Sequence, residues 1–295
     1  MEVLMSAIGF GIVTASILAV SSVGFTLQFS VTNVFNLSFG SVMTGTGFIA
    51  YALNTSGISI WASMAIGALC GGLISVALNW LIFGRFIRHG ISRFGMVIVT
   101  IATGLICDNT IQAFVGPTFY AYNAQPGKAF DLAGMLLTGQ ELIIIVIAAV
   151  MMTATHFGLK STRLGAAMRG LSVNASLARA CGVPTRRVVA VAWFASGVMA
   201  GIGSVALFLD TSTFAATTGS QFLIMVIAAA VLGGVGSAEG AVVGALVVGL
   251  ATEITAAYWN PELKDVVAFA VLILVLLVRP QGMFSQLSSE RTAVG

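Results

Sequence analysis

The chain has 295 residues, 58% of them hydrophobic and 8% charged, where a soluble globular domain carries roughly 25% charged residues. That much apolar side chain cannot be hidden behind so little polar surface, which excludes an ordinary soluble domain and leaves an all-α polytopic membrane protein. A net charge of only +3 is no nucleic-acid footprint; the three cysteines, Cys70, Cys107 and Cys181, form no C-x-x-C pair and indicate neither a disulfide framework nor a metal knuckle.

A helix needs about 20 mainly apolar residues to cross a bilayer. Apolar runs predict segments over Leu4–Leu27, Leu37–Leu53, Ile58–Phe83, Phe94–Val115, Leu142–Phe157, Val188–Leu209, Phe222–Leu232, Ala241–Tyr258 and Val266–Val278, about eight to nine spans in a single domain over 1–295. Leu4 onward reads as the first span and not as a secretory signal, because no basic n-region or cleavage site accompanies it.

Two of these segments open on an interruption. The first is Thr32-Asn33-Val34-Phe35-Asn36-Leu37-Ser38-Phe39-Gly40-Ser41, the second Leu232-Gly233-Gly234-Val235-Gly236-Ser237-Ala238-Glu239-Gly240, and an apolar, small-residue helix follows each. Broken apolar segments in matching halves of a chain point to a transporter's path. In the first, Asn36 and Ser38 can cap a half-helix whose free N–H groups face a solute, with Phe39 beside them. Either interruption also fits a plain turn between two full spans. Gly67-x-x-x-Gly71, Gly197-x-x-x-Gly201 and Gly240-x-x-x-Gly244 put small residues on one helix face and read as packing contacts.

Polar groups at membrane depth are the next candidates. Asp108, Asn109 and Gln112 fall in the Phe94–Val115 span and Glu253 in the Ala241–Tyr258 span. Buried ionisable residues there mark substrate or ion pathways by default, although Asp108 also fits a hydrogen bond across a helix interface and Glu253 an outer helix end in contact with water. His89 and His156 lie in or beside basic loops, and no Cys-His, Ser-His-Asp or metal-ligand spacing can be placed, so neither catalytic residues nor a metal site are read.

Basic residues set the orientation. Arg85, Arg88 and Arg93 share one loop, Lys160, Arg163, Arg169, Arg179, Arg186 and Arg187 another, and Arg279 and Arg291 the tail, leaving only Lys128 and Lys264 of the 13 for the other side. The positive-inside rule makes both loops and the C-terminus cytoplasmic. Residues 158–187 form the most soluble-looking stretch. Ser161 or Thr162 can cap a helix with Leu164, Met168 and Leu171 at i, i+4 and i+7; a break at Gly170, a second helix from Ser172 or Asn174 and a stop at Gly182 complete a helical pair. That pair fits either a docking surface or an amphipathic loop on anionic lipid.

Several motifs, in order and nearly end to end, resemble the LivH-type permease subunits of branched-chain amino acid ABC importers. Asn36-Leu37-Ser38-Phe39-Gly40 resembles that family's N-F-A-H-G, Leu164-Gly165-Ala166-Ala167-Met168-Arg169 its L-G-R-A-x-R, Ala230-Val231-Leu232-Gly233-Gly234-Val235-Gly236-Ser237 its A-V-L-G-G-I-G-S, and Leu276-Leu277-Val278-Arg279-Pro280-Gln281-Gly282 its L-L-V-R-P-x-G. Phe39 replaces the family's His and Glu239 its Pro.

The resemblance implies an ABC importer permease fold in a bacterial inner membrane. It implies a complex with two cytoplasmic ATPase subunits, a second permease, favoured as a related chain over a copy of this one, and a periplasmic solute-binding protein. The solute would be a branched-chain or other hydrophobic amino acid, with an amide, urea or an aromatic acid left open by the sequence. The 158–187 loop becomes the coupling element, with Leu164, Met168 and Leu171 as anchors in the ATPase and Arg163, Arg169 and Arg179 at the rim. ATP and Mg would sit on the partners, since this chain has no G-x-x-x-x-G-K-[ST] loop and is read as a transport subunit, not an enzyme. The rival reading is an ion-coupled secondary transporter, with Asp108 and Glu253 binding a proton or Na+.

Overall fold

The computed structural model describes residues 2–124, 127–132, 135–278 and 283. Arg279 and Arg291, used above to orient the tail, lie outside the described residues, as does most of the terminal L-L-V-R-P-x-G match. The chain is nearly all helical: α1 (Glu2–Thr32), α2 (Phe39–Thr55), α3 (Ile60–Leu78), a π-helical turn (Asn79–Phe83) that carries α3 on into α4 (Gly84–Arg88), α5 (Arg93–Val115), α6 (Gly139–Ser161), α7 (Arg163–Val173), α8 (Ala175–Ala180), α9 (Thr185–Asp210), α10 (Thr218–Gly233), α11 (Ala238–Tyr258) and α12 (Lys264–Val278). A hairpin of β1 (Ala129–Leu132) and β2 (Met135–Thr138), with Ala129 opposite Thr138, precedes α6. It is the one departure from the all-α expectation among the described residues.

Six helices are long and apolar enough to cross a membrane. With the shorter α2, α10 and α12 they make nine segments, in keeping with the sequence count. Side-chain caps fix several starts: Thr138 and Glu141 form a reciprocal capping box on α6, and Thr162, Asn174 and Ser237 accept N–H bonds at the starts of α7, α8 and α11. Helix α7 runs through Gly170 and breaks at Asn174 instead, because the Asn174 carboxamide supplies the next cap. Gly182, at φ +82°, follows α8.

The helices pack as two inverted groups. Helix α1 lies along α11 and α3 along α9, while α1 and α9 meet at the centre. At one end, which carries the basic loops, Leu27 and Val31 of α1 pack with Met168, Leu171 and Val188. At the other end Thr14 of α1 bonds to Glu253 near the end of α11. The order α1-α2-α3-α5 is thus repeated upside down by α9-α10-α11-α12.

Glycines allow the closest approaches. A Cβ built on Gly71 would lie 2.6 Å from the Gly197 carbonyl oxygen, and one on Gly197 would lie 2.3 Å from that of Gly71. Gly244 similarly faces the Ala229 carbonyl oxygen at 2.0 Å. All three small-residue motifs are therefore packing seams, α3 against α2 and α9, and α10 against α11.

Candidate functional site

Each inverted group contains one broken segment, and the two breaks meet. After α1, Asn33 at φ +56° ends the helix and residues 34–37 run on in non-helical conformation alongside α5. Thr100 Oγ1 donates to the Phe35 carbonyl at 3.1 Å, and Ser41 Oγ to the Gly104 carbonyl at 3.1 Å. Gly104 is the middle residue of α5, so α2 starts at mid-height of the bundle and covers the remaining half. Within the break Asn36 is buried, and its Oδ1 accepts from Ser38 N at 3.1 Å and from Ser38 Oγ at 2.6 Å. Ser38 occupies the cap position, but Asn36 holds the turn. Phe39 is 1% exposed and meets Phe25 of α1 edge to face at 5.8 Å; it packs inside the bundle.

The second break precedes α10, not α11. After α9, Ser212 at φ +61° turns the chain back. Phe214 and Tyr120 exchange backbone hydrogen bonds at 2.8 and 2.9 Å, and Ala215 N donates to Thr218 Oγ1 at 2.8 Å to start α10. The first residues of α10 then meet those of α2: a Cβ on Gly40 would lie 2.7 Å from Ser220 Cα, and one on Gly219 would lie 2.6 Å from the Gly40 carbonyl oxygen. Two half-helices thus cross N-terminus to N-terminus, with no side chain between their backbones.

The Leu232–Gly240 stretch, expected above to be the second interruption, is a turn between α10 and α11 at the end of the basic loops. Gly234 and Gly236 both have φ +104° there, and the exposed Glu239 lies 3.1 Å from His156. A signal for the true break was present in the chain: Phe35-x-x-Ser38-x-Gly40-Ser41 and Phe214-x-x-Thr217-x-Gly219-Ser220 share the pattern F-x-x-[ST]-x-G-S.

A small polar group sits at the crossing. Ser220 Oγ donates to Asp108 Oδ2 at 2.8 Å, and Ser41 Oγ lies 3.5 Å from Ser220 Oγ. Asp108 Oδ1 is buried and has no hydrogen-bond partner. The start of α10 provides the positive end of a helix dipole beside this carboxylate. Asn109 and Gln112 are exposed on the outward side of α5, Asn109 Nδ2 donating to Leu105 O at 2.7 Å. Of the residues read from sequence, Asp108, Asn36, Ser38 and Phe39 converge on the breaks, and Ser41 and Ser220 join them.

Glu253 is elsewhere. It lies 12% exposed at the end opposite the basic loops, accepting from Thr14 Oγ1 at 2.9 Å and pairing with Lys264 Nζ at 2.5 Å, so it ties α11 to α1 and α12. Lys264→Met, which strands this carboxylate, is expected to lower the melting temperature of the purified protein by several degrees, and Glu253→Gln by less, because Lys264 is exposed enough to reach water. Equal melting temperatures in all three proteins would show that the pair is not a lock.

Between the crossing and that end lie the rings of Phe48, Tyr51, Tyr120, Tyr122, Phe208 and Phe214, with Phe208 stacked on Phe214 at 4.2 Å. Burial raises the Tyr122 hydroxyl well above its ordinary pKa, and that hydroxyl donates to the Gly47 carbonyl at 3.0 Å. Beyond the rings opens a polar cleft of about 180 Å³ bordered by Thr138, Gln140, Glu141, Asp210 and Ser212. Asp210 escaped the sequence reading because it closes an apolar run and looks like an ordinary helix end.

The basic loops carry the remaining candidates. Met168 and Leu171, expected as anchors for a partner, are 7% and 5% exposed and pack on Leu27, Val31, Val188 and Ala192. They hold α7 to this chain. Leu164 at the start of α7 is 47% exposed, and Val173 at its end and Leu177 in α8 are exposed as well. Arg163, Arg169 and Arg179 face solvent, Arg169 donating to the Leu159 carbonyl and Arg179 Nε to the Ala175 carbonyl at 3.1 Å.

Comparison with known proteins gives this arrangement a family. Residues 7–276 match the family described as branched-chain amino acid transport system, permease component. The chain belongs to that family. The branched-chain amino acid permease proteins LivH of Salmonella typhimurium strain LT2 and of Escherichia coli K12 are each 29% identical to it, over 95% of this chain and 95% of theirs. Among solved structures, PsaBC from Streptococcus pneumoniae in complex with Fab superposes with a TM-score of 0.54 at 14% identity, covering 92% of this chain and 91% of that one, and shares the fold. The chain is thus a multi-pass membrane permease of the branched-chain amino acid type.

Proposed function

We propose that this permease is the membrane subunit of an ATP-driven importer, passing a small solute from a periplasmic binding protein to the cytoplasm across a bacterial inner membrane. The observation that carries the reading is the crossing of two half-helices at mid-height: irregular backbone at that depth persists where protein or a water-filled path covers it. The basic loops and the C-terminus face the cytoplasm. The aromatic rings close the outer side of the path, and the polar cleft at Asp210 is its outer mouth.

The outward side of α5, with Asn109 and Gln112 exposed among apolar neighbours, is covered by the second permease, a related chain, because lipid would offer no partner to the Gln112 amide or to the Asn109 carboxamide oxygen. Two ATPases, carrying ATP and Mg, dock on α7 and α8, with Leu164, Val173 and Leu177 as the accessible apolar contacts and Arg163 and Arg179 around them. The solute is a branched-chain or other hydrophobic amino acid. Ion coupling by Asp108 and Glu253 together is disfavoured, since one lies at the crossing and the other is neutralised by Lys264 at the far end.

The test is ATP hydrolysis by the chain co-purified with its partners in lipid discs, across amino acids each supplied with its binding protein. A solute that stimulates hydrolysis severalfold is expected. Purification without any ATPase, alongside uptake driven by a proton or Na+ gradient, would overturn the importer reading.

A further inference from the structure

We propose that Asp108 Oδ1 is a solute-contact atom that accepts an N–H donor, an ammonium or a primary amide group, so that this permease itself discriminates among solutes at the half-helix crossing. The inference rests on reading that crossing as the path.

The two oxygens of Asp108 are used unequally. Oδ2 receives the Ser220 hydroxyl at 2.8 Å, while Oδ1 is buried without a donor. A carboxylate offers about four lone-pair positions, and a buried acceptor left unmet in a native structure calls for an explanation. Three hydroxyls of α2 and α5 spend their protons on backbone carbonyls. Ser41 Oγ donates to Gly104 O, Thr44 Oγ1 to Gly40 O at 3.2 Å and Thr103 Oγ1 to Val99 O at 2.8 Å. No Lys, Arg or His occurs in α2 or α10, and α5 carries only Arg93 at its first position.

The unpartnered oxygen thus lies at a crossing where α2 and α10 supply no cation and the one hydroxyl that reaches Asp108, that of Ser220, is spent on its other oxygen. A donor brought by the solute completes it, and the site's charge favours an ammonium or amide dipole over a solute whose only polar group is anionic. Small backbones at Gly40 and Gly219 leave the crossing without side chains that would shield the carboxylate once the half-helices part.

The experiment uses the full chain in membrane vesicles, with Cys70, Cys107 and Cys181 replaced by alanine and a reporter thiol placed by Gln221→Cys, at the exposed position of the first turn of α10. Three small thiosulfonate reagents serve as probes: one with an aminoethyl ammonium, one with a trimethylammonium that has no N–H, and one with a sulfonate. The ammonium reagent is expected to label about tenfold faster than the sulfonate after correction for their rates with a free thiol, and faster than the trimethylammonium.

Asp108→Asn or Asp108→Ser removes that preference; Asp108→Glu, which keeps the carboxylate, preserves it. Equal corrected rates, or a preference that survives both neutral variants, would overturn the proposal. Parallel loss for ammonium and trimethylammonium would reduce it to bulk attraction of cations and likewise overturn the N–H contact. Labelling needs no ATP, so failure of the importer reading appears separately, as absent solute-stimulated hydrolysis.

Discussion

Replacing Gly197 by valine is expected to remove nearly all folded protein from the membrane. A single Cβ at that position already falls 2.3 Å from the Gly71 carbonyl oxygen, 2.5 Å from Ser75 Oγ and 2.7 Å from the Gly71 carbonyl carbon. Two of those three atoms are backbone in the facing helix and cannot rotate away. The only relief is to part α3 from α9, which opens the seam that joins the two inverted groups. Overpacking of a tight core costs about 1–3 kcal/mol where side chains can yield, and a backbone clash at the central seam exceeds that. Gly158→Ala is the matched control: nothing lies within 4 Å of its Cβ in the last turn of α6, and alanine improves helix propensity by up to about 1 kcal/mol. Fluorescence-detected size exclusion of both variants checks the contrast. Equal monodisperse yields would show that the seam can spread without penalty.

The double variant Leu164→Asp with Leu177→Asp is expected to insert and fold normally yet lose solute-stimulated ATP hydrolysis and uptake by about tenfold or more. Both side chains are exposed, Leu177 at 61%, so a charge there meets water in the isolated chain. Buried in an interface with an ATPase, each would be an unpaired charge at an apolar contact, and such contacts dominate interface energies. Met168→Asp makes the opposite pattern: it places a carboxylate against Leu27 and Val31 and lowers the amount of folded protein before any partner is involved. Normal uptake by the exposed double variant would remove α7 and α8 from the docking surface.

These two variants also mark where the sequence was legible. The apolar runs and basic loops sufficed for nine segments and their alternation, because burial in lipid demands length and charge asymmetry that no tertiary contact can imitate. The small-residue motifs were readable as packing for the same reason: close helix approach needs glycine. The pattern Leu164, Met168, Leu171 was not enough. An apolar stripe at i, i+4, i+7 looks the same whether it faces this chain's own α1 and α9 or another protein, and only the fold separates the buried Met168 from the exposed Leu164.

The broken segments were half legible. Asn36 and Ser38 announced the first break because short polar side chains stand in an otherwise apolar run. The second was misplaced at the glycine-rich Leu232–Gly240 turn, since glycine reads as interruption, whereas the real break at 211–217 contains no glycine or proline. Ser212 takes up the positive φ there instead. Asp108 and Glu253 were both legible as intramembrane acids, one read as bonding across a helix interface and the other as lying near an outer helix end; the serine that α10 brings to the first and the lysine that α12 brings to the second are consequences of long-range packing that no local spacing reveals.

The head-to-head meeting of α2 and α10 has a further consequence. Each half of the chain supplies one long unbroken helix beside one short one, in opposite senses, so the two halves are the same device mounted in reverse. Whatever slant one half adopts relative to the crossing, its counterpart can adopt the mirror role by trading shapes. On the importer reading proposed above, a path closed by the aromatic rings on one side therefore already carries the geometry of the conformer closed on the other, and needs no second fold to reach it.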